Sequence, residues 1–255
     1  MSVNIIDINH TKEYEEMTLE QTAEHTRAYI KIQDGCNRFC SYCIIPYTRG
    51  GVRSRDPKQV IEEVKGLVAK GYREFVLTGI HISSYGLDFP KKDPATALIA
   101  LMKEMGLKSY RFSLSWSRII PEEGKVNEKG IAFYSALIDE LLAAGIEPLI
   151  TLYHWDLPVW MDKKGGWKTL EIRERFLEYA AVVVDAFSDR VKYWITFNEP
   201  QCFLMNGYMQ GVHAPFRRDY LCFPKISRNF MLTNAAVVKL IREKAKIPPI
   251  VGLSF

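Results

Sequence analysis

Three cysteines, Cys36, Cys40 and Cys43, fall within one stretch of eight residues. Three thiolates on one loop can hold three irons of a [4Fe-4S] cluster and leave the fourth iron open to a small ligand. Zinc is the rival, but a structural zinc site takes four protein ligands and no fourth Cys or His lies nearby in sequence. Three thiols packed by chance are the plain alternative. A second set of residues is different in kind: Arg111 and Trp116, then Tyr153-His154-Trp155-Asp156, then Asn198-Glu199-Pro200. Trp, His, Asn and Glu around one opening suit a sugar, with flat faces for stacking, partners for hydroxyls and a carboxyl acid. The plain alternatives are core packing for Trp116, Trp155 and Trp194, and a structural role for His154. Cys202 and Cys222 read as packed thiols.

Both sets need strands to position them. Apolar and β-branched runs predict strands at 27–33, 74–81, 109–115, 147–153, 192–197 and 250–255, with a further short one at 3–8. Between them lie helical patterns. Asp56-Pro57 opens the first helix, whose apolar face is Val60, Ile61, Val64, Leu67 and Val68, and Gly71 ends it. Others are predicted at 94–105, at 170–187 and at 227–244. Another, capped by Asn127, carries Ile131, Tyr134, Ile138, Leu141 and Leu142. Strands alternating with helices imply a parallel sheet. No Gly-rich dinucleotide fingerprint follows the first strand, which favours a barrel over a Rossmann sheet. The expected fold is α/β, a partial (βα) barrel of about six parallel strands, TIM-barrel-like; a closed barrel needs eight. The sugar-type residues fall at or just beyond predicted strand C-termini, the end that carries the active site in such barrels.

The composition fits this. The chain has 255 residues, 47% hydrophobic and 25% charged, which excludes disordered, collagenous and coiled-coil classes. The net charge of +4 permits contact with nucleic acid without arguing for it. No apolar run approaches the ~18 residues of a membrane span. No secretory pattern opens the chain. Clustered cysteines suit a reducing compartment, so a cytoplasmic location without membrane contact is expected. Three regions are expected: a polar lead-in at 1–26, a cysteine-loop half at 27–92 and a βα segment at 93–255.

The run from Ile30 through Gly35 into Cys36, then Cys40 to Cys43, then Ile44-Ile45-Pro46-Tyr47-Thr48-Arg49-Gly50, resembles the radical-SAM signature of tRNA methylthiotransferases, most closely those acting on threonylcarbamoyl-adenosine. Gly51-Val52-Arg53-Ser54-Arg55 and Leu77-Thr78-Gly79-Ile80-His81 extend the likeness, which covers about residues 5–89. It implies a [4Fe-4S] cluster on Cys36, Cys40 and Cys43. It also implies S-adenosylmethionine on the open iron, with Tyr42 near the adenine and Thr78 and Gly79 near the amino group. tRNA is the implied partner, and Arg49, Arg53 and Arg55 are either phosphate contacts or a solvated basic loop. The resemblance lacks its second set of three cysteines before Cys36.

From about residue 97 the chain resembles family 1 glycoside hydrolases, the β-glucosidase and 6-phospho-β-glucosidase group. Tyr110 to Arg118, Thr151 to Pro158 and Thr196 to Pro200 carry the likeness, with Asn127 to Gly130, Gly166-Trp167 and Gly211 to Pro215. This implies Glu199 as general acid/base, Asn198 on the sugar 2-hydroxyl, His154 and Trp155 on the nonreducing sugar, and Arg111 orienting a nucleophile. The family's nucleophile stands in a Thr-Glu-Asn-Gly stretch, and this chain contains none. The expectation is a composite chain: a β-glucosidase-like segment without its nucleophile, joined to a cluster- and SAM-binding segment. The alternatives are an iron–sulfur protein acting on tRNA, or a chimera without catalysis. The oligomeric state is left open.

Overall fold

The computed structural model describes residues 8, 11–12, 14–15, 27–40, 43–90 and 94–255. The expected strand at 3–8 falls outside them except for Ile8, and so does Tyr42. The chain divides into two compact units, Met1–Leu107 and Lys108–Phe255.

In the first unit, β1 (Arg27–Asp34) alternates exposed and buried positions, which sends Ala28, Ile30 and Ile32 into the core. The cysteine loop follows, then α1 (Ile45–Arg49) and β2 (Arg53–Ser54). Helix α2 (Pro57–Ala69) starts as its sequence dictates: the Asp56 carboxylate accepts from the Lys58 and Gln59 amides, and Pro57 needs no such partner. It buries Val60, Val64 and Leu67 and leaves Val68 exposed. Strand β3 (Glu74–Gly79) runs parallel to β1, and two-residue β2 pairs antiparallel with the end of β1. Helix α3 (Pro94–Glu104) packs against α2 and the 3-10 turn Ile82–Ser84.

The second unit begins with β4 (Ser109–Ser113), α4 (Trp116–Ile119), α5 (Glu128–Ala143) and β5 (Glu147–Tyr153). Then come α6 (Val159–Lys163), α7 (Glu171–Phe187), β6 (Tyr193–Asn198) and α8 (Pro200–Cys202). A π-helical segment, Phe203–Met209, precedes α9 (Phe223–Lys244) and β7 (Ile250–Ser254). Its sheet is all parallel in the order β4-β5-β6-β7. Trp116, Tyr153, Trp167, Phe176, Tyr179 and Phe197 are buried together in edge-on and stacked contacts, such as Phe176 on Phe197 at 4.9 Å. Trp116 and Trp194 are indeed core residues, with Trp194 donating to the Val191 carbonyl at 3.2 Å.

One expectation fails in its strand count. The strands do not form a single six-stranded parallel sheet; they form a three-stranded and a four-stranded sheet, and β3 and β4 belong to different ones. A crossover helix joins successive strands into one sheet when it packs across both. Helix α3 instead packs on elements of its own unit. The division into compact units falls at Leu107/Lys108. No helix among the described residues is long and apolar enough to cross a membrane.

Candidate active site

The C-terminal ends of β4, β5, β6 and β7 bring Arg111, His154, Asn198 and Ser254 together. Parallel register makes this possible: Ser113 lies opposite Thr151, Tyr153 opposite Phe197, and Asn198 opposite Ser254. The Arg111 guanidinium donates to three neutral oxygens: Thr151 Oγ1 at 3.0 Å, Ser254 Oγ at 3.2 Å and Asn198 Oδ1 at 2.5 Å. That last bond fixes the Asn198 amide, so its Nδ2 donates to His154 Nε2 at 3.2 Å. His154 Nε2 is then the acceptor, and its protonated Nδ1 donates to Ser113 Oγ at 2.9 Å. Burial, and next the charge of Arg111, push the His154 pKa down against an opposing pull from Glu199. The imidazole is therefore neutral at pH 7, as this chain of bonds requires.

Two non-glycine residues here hold left-handed backbone: Trp155 at φ 75° and Glu199 at φ 40°. Such strain at strand ends persists only where neighbours enforce it. The Trp155 indole donates to the Asn198 carbonyl at 2.8 Å, and its ring lies 5.6 Å from that of His213. The Glu199 amide donates to the Ser254 carbonyl at 2.7 Å. Its carboxylate lies 3.6 Å from the Cys202 thiol, whose pKa is pushed up by burial and by the Glu199 charge.

Asp156 is a distinct acid. Both its carboxylate oxygens are buried without a partner in hydrogen-bond geometry. Burial pushes its pKa up to about 6, although the Ser115 hydroxyl and the Trp116 and Ser117 amides lie close enough to moderate the rise. Asp156 lines a cavity of about 280 Å³ with Ser117, Trp155, Asp162 and Tyr208. Asp162 there is neutralised by Arg217 at 2.9 Å.

Residues 87–255 match the family model for glycosyl hydrolase family 1. The chain belongs to glycosyl hydrolase family 1. Among similar family 1 proteins, β-glucosidase A of Thermotoga maritima is 48% identical over 150 residues, 58% of this chain and 33% of that protein. The aryl-phospho-β-D-glucosidase BglC of Bacillus subtilis is 46% identical over 156 residues, 59% of this chain and 33% of that protein. A β-glucosidase structure from T. maritima in complex with deoxynojirimycin superposes with a TM-score of 0.59 at 45% identity, covering 62% of this chain and 36% of that one. The chain thus spans about a third of the length of the curated relatives it matches.

Arg111, His154, Trp155, Asn198 and Glu199 lie inside the matched residues. Sequence reasoning missed Ser254 and Ser113 as positioning residues, and Thr151 as a partner of Arg111. Their only signal was a hydroxyl at or near a strand C-terminus. It also missed the contact of Cys202 with Glu199; Cys222 is a packed thiol as expected, donating to the Asp219 carbonyl at 2.9 Å.

The first unit presents its cysteines differently. Cys36 is buried, Cys40 exposed and Cys43 in between. Their loop is held through backbone bonds, Cys36 N–H to the Gly50 carbonyl at 3.0 Å and Cys43 N–H to the Cys40 carbonyl at 2.9 Å. Thiols are the right donors for a cluster, but among the described residues no three His, Cys, Asp or Glu side chains are gathered closely enough to hold a metal. Gly79 has a local cause. A Cβ there would stand 2.9 Å from the Gln33 Oε1 that accepts from the His81 amide. Thr78 donates to the Ile30 carbonyl at 3.4 Å. Two of the three arginines read either as phosphate contacts or as a solvated basic loop are neither exposed nor solvated. Arg53 is buried beside Asp34 at 3.5 Å, and Arg55 is buried against Glu63. Only Arg49 keeps an exposed guanidinium, 3.9 Å from Asp34.

Proposed function

We propose that the Lys108–Phe255 unit binds the nonreducing sugar of β-glucosides, 6-phospho-β-glucosides included, and supplies the proton-donating half of retaining hydrolysis. The observation that carries this is the hydrogen-bonded array Arg111–Asn198–His154, with Glu199 next in the chain on strained backbone. Glu199 would protonate the glycosidic oxygen as its bond to the anomeric carbon breaks, while a solvent water bonds to that carbon through its oxygen and gives a proton back to solvent. Asn198 keeps one N–H for the sugar 2-hydroxyl. Trp155 offers a flat face and His154 a polar edge. Retention also needs a second carboxylate about 5–5.5 Å from the first. The only side chains bonded to Arg111 among the described residues are neutral, so the reading stops at sugar binding and proton delivery. Similar proteins are named β-glucosidase and aryl-phospho-β-D-glucosidase, which supports this substrate class.

Release of a chromogenic phenol from an aryl β-glucoside tests the proposal. Slow release is expected, lost in Glu199→Ala while deoxynojirimycin still quenches Trp fluorescence. Release that is equal in parent and variant sinks it.

A second reading concerns the cysteine loop, which leaves the C-terminal end of β1 with three thiols. A [4Fe-4S] cluster there would supply one-electron chemistry to bound S-adenosylmethionine, and seating it requires Cys40 and Cys43 to move toward Cys36. Iron and sulfide content after anaerobic reconstitution decides. The reading fails if Cys36→Ala holds as much cluster as the parent.

A further inference from the structure

Helix α9 has two contrasting sides. Ile226, Phe230, Thr233, Val237 and Ile241 are buried, and that side packs on α7, β6 and β7. Lys225, Arg228, Met231, Leu232, Lys239 and Arg242 are exposed. Spacings of three, four and seven residues put these six on one stripe along the helix. Their order is two cations, two apolar residues, two cations. Met231 is 66% exposed, and Leu221, just before the helix, is 93% exposed. Residues 218–246 hold seven Lys or Arg against two Asp or Glu, an excess of +5, where the whole chain has +4. The positive charge of the chain is therefore gathered here. Both acids are engaged: Asp219 pairs with Lys168 at 2.5 Å, and Glu243 lies 3.8 Å from Lys239. Lys225, Arg228 and Arg242 join no ion pair among the described residues.

We propose that this stripe of α9 is a docking face for an anionic lipid surface. Charge complementarity selects the partner, since clustered and unneutralised Lys and Arg meet acidic headgroups. The central apolar pair suits a layered surface. Met231 and Leu232 enter the boundary below the headgroups, while the long stems of the flanking Lys and Arg keep their charges at headgroup level. A polynucleotide offers phosphates but leaves Met231 and Leu232 without a partner, and the stripe has no aromatic ring to stack on a base. The expectation of no membrane contact followed from the lack of a spanning or secretory segment, and a surface contact requires neither. The face is independent of the sugar reading.

Sedimentation of the full-length protein with lipid vesicles tests it. Vesicles of equal phosphatidylserine and phosphatidylcholine are expected to carry the protein down, vesicles of phosphatidylcholine alone are not, and added salt is expected to release it. Arg228→Glu with Arg242→Glu is expected to weaken binding about tenfold or more, the scale of basic residues lost from an anionic surface. Met231→Ser with Leu232→Ser is expected to weaken it about fivefold. All four side chains are exposed, so an unchanged melting temperature is expected in both variants. Lys129→Glu with Lys163→Glu reverses exposed cations on α5 and α6 and is expected to matter far less. Equal binding to the two kinds of vesicle, an equal loss in the α5 and α6 variant, or full binding in the serine variant overturns the face. If single-stranded RNA binds through Arg228 and Arg242 and the vesicles do not, the stripe is a nucleic-acid surface and the lipid proposal falls.

Discussion

The two candidate sites of this chain are built by opposite means. In the second unit the functional side chains hold one another: Arg111 orients Asn198, Asn198 orients His154, and Ser113 receives the last proton. In the first unit the backbone holds the loop, and the three thiols stand in three different environments. A site whose side chains are bonded to each other is formed before its ligand arrives. A site whose side chains are not so bonded needs its ligand to gather them. The contrast extends to the cores. The second unit is filled with interlocking aromatic rings, whereas the first buries mostly aliphatic side chains, with Tyr85 and a charged pair among them.

The largest effects should come from breaking each core in its own way. Phe176→Ala removes a fully buried ring and is expected to cost about 3–5 kcal/mol. Glu63→Gln leaves the buried Arg55 without its counter-charge and is expected to cost a similar ~3–5 kcal/mol. Denaturant unfolding should resolve which unit each change affects. A single transition shifted equally by both variants would erase the distinction between the units.

A smaller effect concerns Asp156. Its folded pKa of about 6 lies above the ordinary 3.8, so the folded state holds the proton more tightly. The contribution of Asp156 to stability is then greatest below about pH 4 and falls as pH rises to about 6, by at most about 3 kcal/mol. Asp156→Asn should flatten that slope, as followed by melting temperature across the window. A slope unchanged in the variant would assign it to other groups. The smallest effect is at the α2 cap, where Asp56→Ala should cost the first unit about 1 kcal/mol and leave the second untouched.

Much of the second unit was legible in the sequence because local signals and packing agree there. Strand β5 was expected at 147–153 and runs Glu147–Tyr153; α7 was expected at 170–187 and runs Glu171–Phe187. Helix α9 starts earlier than its apolar spacing suggested, because Pro224 is well placed in a first turn. Asn127 does precede α5, but its side chain donates to the Arg118 carbonyl instead of capping. Arg111, His154, Asn198 and Glu199 were identifiable because their types and strand-end positions are unusual together. Thr151, Ser113 and Ser254 were not, since common hydroxyl residues acquire their role only through the register of four parallel strands. The sheet division was equally hidden. It depends on where α3 packs, and an amphipathic pattern says only that a helix has an apolar face.

The bond from the Glu199 amide to the Ser254 carbonyl has a kinetic meaning. Strand β7 is the outer strand of its sheet, and outer strands open more readily than inner ones. When β7 opens, the Glu199 backbone loses its anchor, and the Ser254 hydroxyl leaves Arg111 in the same event. Glu199 and Arg111 therefore each lose one tie together, while Arg111 keeps Thr151 and Asn198. The exchange rate of that one amide proton with solvent deuterium would read how often this happens, as a clock for the working lifetime of the whole array.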